Sequence, residues 1–331
     1  MTTRAPALRD LPIAAGTGWP WSLDGVAPTT RDKPSVWPRI TIVTPSYNQG
    51  RFIEQTIRSV LLQGYPNLEY MIIDGGSTDK TVEIIKRYDP WLAYWVSEKD
   101  RGQCHAINKG FARATGEIFA WLCSDDVYAP GALHKVGEAI EDQVRTVVIG
   151  DAVITNGPET LAGTFDRRRP AFEDMAYDVK TLAQPSVFWT RDLWERVGPL
   201  REDLYFSMDY DLWLRMLPAA ASVHYVDHVL SYQRTQPRQK TRRDHPLFKK
   251  SHEQRADAAY LAARSRGETG LGWLARVWAR KLRKLGFRFW SLRGPGFHWQ
   301  ALRRVCQGGR PSSTGEGKGH AHGALTGDRK S

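Results

Sequence analysis

At 331 residues with 41% hydrophobic side chains, the chain can bury one large core or two small ones, which sets aside a disordered or fibrous class. No run reaches the roughly 18 uninterrupted apolar residues of a membrane span. The N-terminal stretch lacks the apolar core of a signal peptide, and three cysteines give no disulfide framework, which fits a reducing cytoplasm. A net charge of +11 admits nucleic acid, an anionic membrane or a polyanionic substrate as partner.

Residues 1–38, rich in Pro, Thr and Gly, read as an irregular arm in which Trp19, Trp21 and Trp37 can pack on the adjoining domain. Regular alternation begins at Arg39. Residues 40–44 are a β-branched run closed by Pro45, a buried-strand pattern. Residues 52–63 have helical spacing at Ile53, Ile57, Val60 and Leu61. A second strand, 68–73, ends in Asp74-Gly75-Gly76. Ser77-Thr78-Asp79 then caps a helix reaching Tyr88. A third strand at 92–96, a helix at 106–114, a strand at 118–122, a helix at 132–141 and a strand at 146–149 come next. Strands alternating with helices predict a largely parallel sheet covered on both faces. Ligands of such sheets lie beyond the carboxyl ends of the strands. Asp74 and the Asp125–Asp126 pair both fall at such ends.

Beyond Asp151 the pattern is irregular. Arg167-Arg168-Arg169 reads as a solvated charged loop, 184–189 as a strand or turn, and 192–197 as a short helix. A helix at 208–217 carries Asp209 and Asp211 in its first turn. A strand at 222–232 and a polar helix at 244–265 complete the regular elements. The expected organisation is an arm (1–38), an α/β domain (39–243), a basic aromatic helical appendage (244–306) and a disordered tail (307–331) rich in Gly, Ser, Lys and His.

Adjacent carboxylates repel and are costly to bury. At the end of a buried strand, Asp125 and Asp126 suggest a divalent cation held through oxygen, and through it a phosphate-bearing substrate. A surface turn, which Asp-Asp also favours, is the alternative.

Seven segments occur in the order and spacing of the family-2 glycosyltransferases. They are Thr44-Pro45-Ser46-Tyr47-Asn48 with Phe52-Ile53, Asp74 to Asp79, Asp100 to Gln103, Asn108 to Phe111, Ser124-Asp125-Asp126, Gln184 to Ser186, and Met208 to Trp213. The chain resembles that family from about residue 39 to residue 241. The resemblance implies a GT-A fold with a mostly parallel central sheet. It implies that Thr44, Pro45, Tyr47 and Asn48 contact the donor nucleotide. Asp74 would accept from a uracil or guanine N–H, Gly75 would let the backbone approach, and Asp100, Arg101 and Gln103 would assist. Asp125 is expected near the ribose, Asp126 on Mg²⁺ or Mn²⁺, and Arg238 and Lys240 on the diphosphate. Gln184 and Trp189 are expected on the acceptor side. Asp209 matches the general base, with Asp211 next in line, whereas Asp79 reads as a helix cap. Two departures stand out: Cys123 replaces the usual first Asp of the metal motif, and Met208 replaces the Glu that usually precedes the base. In the basic loop, Gln236 stands about where relatives often have His.

By resemblance, the function is metal-assisted inverting transfer of a sugar from a nucleoside-diphosphate sugar to a hydroxyl of a glycan or lipid-linked acceptor, in cell-surface polysaccharide assembly. Residues 271–304 carry nine Lys or Arg and no Asp or Glu. Leu274, Val277, Trp278, Leu282, Leu285, Phe289 and Leu292 recur there at helical spacing. That pattern fits an amphipathic helix on anionic lipid, hence a cytoplasmic protein peripheral to the plasma membrane. A helix packed on the domain is the alternative. Two rival functions are a nucleic-acid binder using the basic C-terminus and a catalytically silent sugar-nucleotide binder. Strand-end carboxylates repel phosphates without a metal, so no nucleic acid is expected.

Overall fold

A computed structural model describes residues 7–13, 16–22, 37–140, 144–157, 159–178, 180–237, 239 and 248–285. All of them fall in one compact unit, Met1–Phe289. In chain order the elements are β1 (Ile40–Ser46), α1 (Ile53–Leu61), β2 (Leu68–Asp74), α2 (Thr81–Tyr88), β3 (Tyr94–Ser97), α3 (Gln103–Phe111) and β4 (Ile118–Trp121). Then come β5 (Val127–Tyr128), α4 (Ala132–Ala139), β6 (Thr146–Thr155), β7 (Gly163–Asp166), α5 (Phe172–Asp178) and β8 (Val187–Thr190). The last are α6 (Arg191–Val197), α7 (Met208–Ala219), β9 (Ser222–Gln233), α8 (Phe248–Ser265) and α9 (Gly270–Leu285).

One nine-stranded sheet orders these strands β3-β2-β1-β4-β8-β6-β9-β5, with β7 on β6. The run β3-β2-β1-β4 is parallel, as the alternation predicts. Past β4 the sheet is mixed: β8 is antiparallel to β4 and β6, β6 is parallel to β9, and β5 is antiparallel to β9. The strand expected at 146–149 continues to Thr155, with register shifts on either side of Asp151. Such bulges bend a strand where hydrophobic alternation breaks, which explains the irregular pattern there.

Strand alternation divides the core. Ile40, Ile42, Ile72, Ile118 and Ala120 face α1, α2 and α4 through Ile53, Ile57, Val60, Ile84, Ile85, Leu133 and Val136. Each buried aliphatic side chain contributes about 1.5–3 kcal/mol. The opposite face of β1 carries α3 at close range. A Cβ on Gly110 would lie 2.5 Å from Val43 Cγ1, so a larger residue there would push the helix off the sheet. On the same side, Trp121, Trp189 and Trp213 form a fully buried cluster with Phe111.

The arm is pinned by Arg58 of α1, whose guanidinium donates to the carbonyls of Pro12, Pro20 and Trp21. Trp19 donates to the Tyr128 carbonyl at 2.8 Å, and Trp37 lies edge-on to Tyr65 and His134.

At the other end, α8 and α9 pack on α5 and α7. Trp273, Leu274 and Val277 are 2–5% exposed, and Trp273 Nε1 donates to the Ala176 carbonyl at 3.1 Å. Arg276 pairs with Glu268, and Arg280 with Asp174 and Asp178. The first part of the stripe expected to meet lipid, Leu274 and Val277, is therefore turned onto the protein, and only Trp278 among its described side chains is exposed. Apolar burial against α5 satisfies the same periodicity that a membrane would. The remainder of the stripe, Leu282 to Leu292, and the tail at 307–331 lie outside the residues whose side chains are described. No helix among the described residues is long and apolar enough to cross a membrane.

Candidate active site at the sheet's carboxyl edge

The parallel register aligns the strand ends. Ser46 pairs with Asp74, Asp74 with Ser97, and Val43 with Trp121. The loops after β1, β2, β3 and β4 therefore emerge at one edge and bring together Tyr47–Asn48, Asp74–Gly75, Asp100–Gln103 and Cys123–Asp126.

The β4 loop is the centre of this edge. Cys123 Sγ and one carboxylate oxygen from each of Asp125 and Asp126 lie within 4.8 Å of one another. Asp126 is 5% exposed. Burial, and then the neighbouring Asp125 charge, push its pKa well above the usual carboxylate range, against the opposing pull of Arg234. Thr56 of α1 holds the loop from beneath, donating to the carbonyls of Ser124 at 3.0 Å and Asp126 at 2.7 Å.

Antiparallel pairing of Val127 with Tyr232 lays the chain after β9 beside this loop. The Arg234 amide donates to Asp126 Oδ1 at 2.7 Å, and Gln236 Nε2 to Asp125 Oδ2 at 3.0 Å. The Arg234 guanidinium, 2% exposed, donates to the Asp125 carbonyl and to Gln55 Oε1, and lies 5.2 Å over the Phe52 ring. Burial lowers its pKa, a cost accepted only where carboxylates stand nearby. Sequence reasoning missed Gln55 and read Arg234 only as the start of the basic loop 234–241 expected at the diphosphate; the partners that Arg234 holds, Asp126 and Gln55, are 108 and 179 residues away.

The site suits a divalent cation: it offers two carboxylates and, beside them, the Cys123 sulfur.

The nucleotide-side residues divide into exposed and supporting sets. Tyr47 is 61% exposed. Asn48 sits at φ 52°, a left-handed geometry that Asn tolerates, and its Oδ1 accepts from the Thr78 amide. Thr44 and Pro45, expected to touch nucleotide, are instead buried within β1, where the Thr44 hydroxyl lies 3.1 Å from that of Tyr70. The Asp74 carboxylate is fully buried and accepts from Gly76 N, Ser77 N, Ser77 Oγ and Ser97 Oγ. Three of these bonds end on Oδ2 and one on Oδ1, and together they fix the shape of the β2 loop. Asp79 accepts from Gly50 N, Thr81 N and the Thr81 hydroxyl, a helix-start role as expected. A Cβ on Gly75 would fall 2.8 Å from Asp100 Oδ2, so a larger residue there would displace the Asp100 carboxylate from the β2 loop. Arg101 is exposed and paired with Glu202 at 2.7 Å rather than free for phosphate.

Helix α3 starts at Gln103, three residues earlier than the spacing suggested, and joins two parts of the site. Gln103 Nε2 donates to Cys123 Sγ at 3.3 Å, and Cys104 Sγ lies 3.0 Å from Met208 Sδ at the head of α7. On α7, the Asp209 carboxylate is half-buried and accepts from its neighbour's amide, Tyr210 N. Asp211 is 7% exposed and flanked by Arg215 at 3.0 Å and Arg201 at 3.6 Å. That pairing removes it as a second candidate base.

Two acceptor-side expectations change. Trp189 is fully buried against Phe111, Trp121, Trp194 and Trp213, so it is core and cannot stack on a sugar. Gln184 is 8% exposed, donates to the Trp121 carbonyl at 2.8 Å and receives Cys123 Sγ at 3.6 Å, which makes it a support for the carboxylate loop. The triple arginine is an exposed loop, as its charge suggested, and its guanidinium groups also pair inward: Arg167 and Arg169 reach the buried Asp151, and Arg168 pairs with Asp166. Arg238 and Lys240 lie outside the described residues.

Comparison with known proteins gives one consistent answer. The model of "Glycosyl transferase family 2" matches residues 41–189. An uncharacterized glycosyltransferase of Rickettsia typhi is 29% identical over 218 residues, 62% of this chain and 66% of that one, just under two thirds of its length. A PGL/p-HBAD biosynthesis glycosyltransferase of Mycobacterium tuberculosis is 27% identical over 198 residues, covering 58% and 75%. Among solved structures, S. aureus TarS aligns with 81% of this chain and 49% of its own at 18% identity and a TM-score of 0.57. TarS 1-349 in complex with UDP aligns over 81% and 77% at 17% identity, again with a TM-score of 0.57. At such identities the structural likeness is one of fold.

Proposed function

Residues 41–189 belong to glycosyl transferase family 2, and from that membership we propose that this GT-A protein is an inverting, metal-assisted transferase acting on a nucleoside-diphosphate sugar. One observation carries the reading. A buried carboxylate pair ends β4, Asp209 opens α7, and the two are tied through Gln103–Cys123 and Cys104–Met208.

In this reading Asp126 would hold Mg²⁺ or Mn²⁺, which would neutralise charge on the departing diphosphate, and Asp125 beside it would lie toward the ribose. Arg234 and Gln236 keep the two carboxylates apart and oriented. Tyr47 and Asn48 meet the nucleotide, and Asp74, through its loop, shapes the floor beneath it. Asp209 takes the proton from the acceptor hydroxyl as that oxygen attacks the anomeric carbon. A single displacement inverts the centre and needs no covalent nucleophile. Fold likeness to TarS, solved with UDP-GlcNAc, supports a nucleotide sugar as donor. The acceptor is proposed to be a glycan or lipid-linked hydroxyl, and a peripheral place at the membrane remains part of the proposal for the residues beyond α9.

The test is a thermal-shift screen of UDP-, GDP- and dTDP-sugars with and without Mn²⁺, followed by transfer assays. A metal-dependent shift lost in Asp126→Asn supports the reading. No shift with any nucleotide sinks it.

A further inference from the structure

We infer that Cys123 is a metal ligand and that its sulfur biases the site toward thiophilic divalent ions, Co²⁺, Zn²⁺ or Cd²⁺, over Mg²⁺; this rests on the metal-assisted reading above.

Three observations carry it. First, the sulfur belongs to the same donor set as the carboxylates, all within 4.8 Å, a separation one ion can span. Second, the 5%-exposed Asp126 carboxylate accepts from the Arg234 amide through Oδ1 and stands directly beside Asp125. Two carboxylates held this close in a buried loop gain from a shared cation. Third, Cys123 is held in place from both sides. Gln103 Nε2 donates to Sγ at 3.3 Å, and Sγ faces Gln184 Oε1 as donor at 3.6 Å, the Gln184 amide being fixed by the Trp121 carbonyl. A ligand oriented by outer hydrogen bonds is characteristic of a built metal site.

The chemical consequence comes from softness. An all-carboxylate site suits Mg²⁺, whereas a thiolate donor adds affinity for softer ions and almost none for Mg²⁺. Binding through sulfur would form a metal–sulfur bond and release the thiol proton to solvent. Cys104 is no competitor: it is buried and turned toward the Leu204 carbonyl and Met208.

Co²⁺ titration of the full-length chain, without nucleotide, tests this directly. A thiolate-to-Co²⁺ charge-transfer band is expected in the parent, retained in Cys104→Ser and lost in Cys123→Ser. By calorimetry Cys123→Ser should weaken Cd²⁺ binding at least about tenfold, the scale on which supporting-shell losses alone act, and leave Mg²⁺ nearly unchanged. Cys123→Asp, which keeps a ligand at the position, should shift the preference back toward Mg²⁺. No band in the parent, a band that survives Cys123→Ser, or an unaltered Cd²⁺-to-Mg²⁺ preference overturns the inference. Asp126→Asn separates the two readings. If it abolishes metal binding while Cys123→Ser behaves like the parent, only the ligand role of Cys123 fails. If metal binding survives Asp126→Asn, the metal-assisted reading itself fails.

Discussion

The indoles of Trp121 and Trp213 stack with centroids 5.6 Å apart and planes 8° from parallel. Trp121 closes β4 four residues before Asp125, and Trp213 lies one helical turn after Asp209. One buried contact therefore fixes the carboxylate pair relative to the proposed base. Replacing Trp213 by Leu leaves a cavity in a packed core and should cost about 2–4 kcal/mol, somewhat less than full truncation of a buried tryptophan. It should also lower kcat for transfer while donor affinity changes less. Denaturant unfolding and steady-state kinetics check both, and equal losses in kcat and donor affinity would contradict the coupling.

Asp209 and Asp211 should separate cleanly. Asp209→Asn is expected to cut kcat by about 10²–10⁴-fold, the usual worth of a general base, with the unfolding midpoint nearly unmoved. Asp211→Asn removes the carboxylate between Arg201 and Arg215, so its main effect should be on stability. Thermal melts set beside rate assays distinguish the two. A stable, inactive Asp211→Asn would reverse the assignment.

Arg234→Met leaves the Asp125 carbonyl and Gln55 Oε1 without their donor and removes the buried counter-charge. Breaking such an arrangement costs about 3–5 kcal/mol. Arg234→Lys keeps the charge but cannot reach both acceptors with the planar fork. It should fold, with donor affinity reduced more than stability. Isothermal titration with the donor nucleotide tests this.

Trp189→Ala should cost about 3–5 kcal/mol as a cavity in the tryptophan cluster. Trp189→Phe should fold and transfer sugar with the parent's acceptor KM. A raised acceptor KM in the Phe variant would restore Trp189 to the acceptor side.

Stability in acid should depend on Glu69. Burial pushes its carboxyl upward, but hydrogen bonds from Thr41 and from the Thr115 amide and hydroxyl, with the Arg39 charge, outweigh that and hold it below the usual range. A depressed folded-state pKa means the unfolded chain binds the proton more tightly. The contribution is complete above the unfolded value of about 4.3 and fades as pH falls through the folded one. Glu69→Gln should therefore be less stable at neutral pH and show a flatter acid limb, measurable as unfolding midpoints across pH.

By itself the sequence determined the parallel half of the sheet, because β-branched runs and helical spacing are local properties of the chain. It also placed Asp74, Cys123, Asp125 and Asp126 at strand ends, since residue order alone brings those loops to one edge. Only tertiary structure decided which of these side chains are open and which are spent. Thr44, Asp74 and Trp189 share motifs with site residues, yet their partners at Tyr70, Ser97 and Trp213 bury them. Arg234, laid beside the carboxylate loop by the β5–β9 pairing, grips that loop and reaches Gln55 of α1 across 179 residues, and no local pattern encodes a contact of that separation. The apolar stripe that begins α9 makes the same point. Its spacing specifies an amphipathic helix, but whether the apolar side meets lipid or α5 depends on the surface the rest of the fold presents, and here Trp273, Leu274 and Val277 are buried on protein.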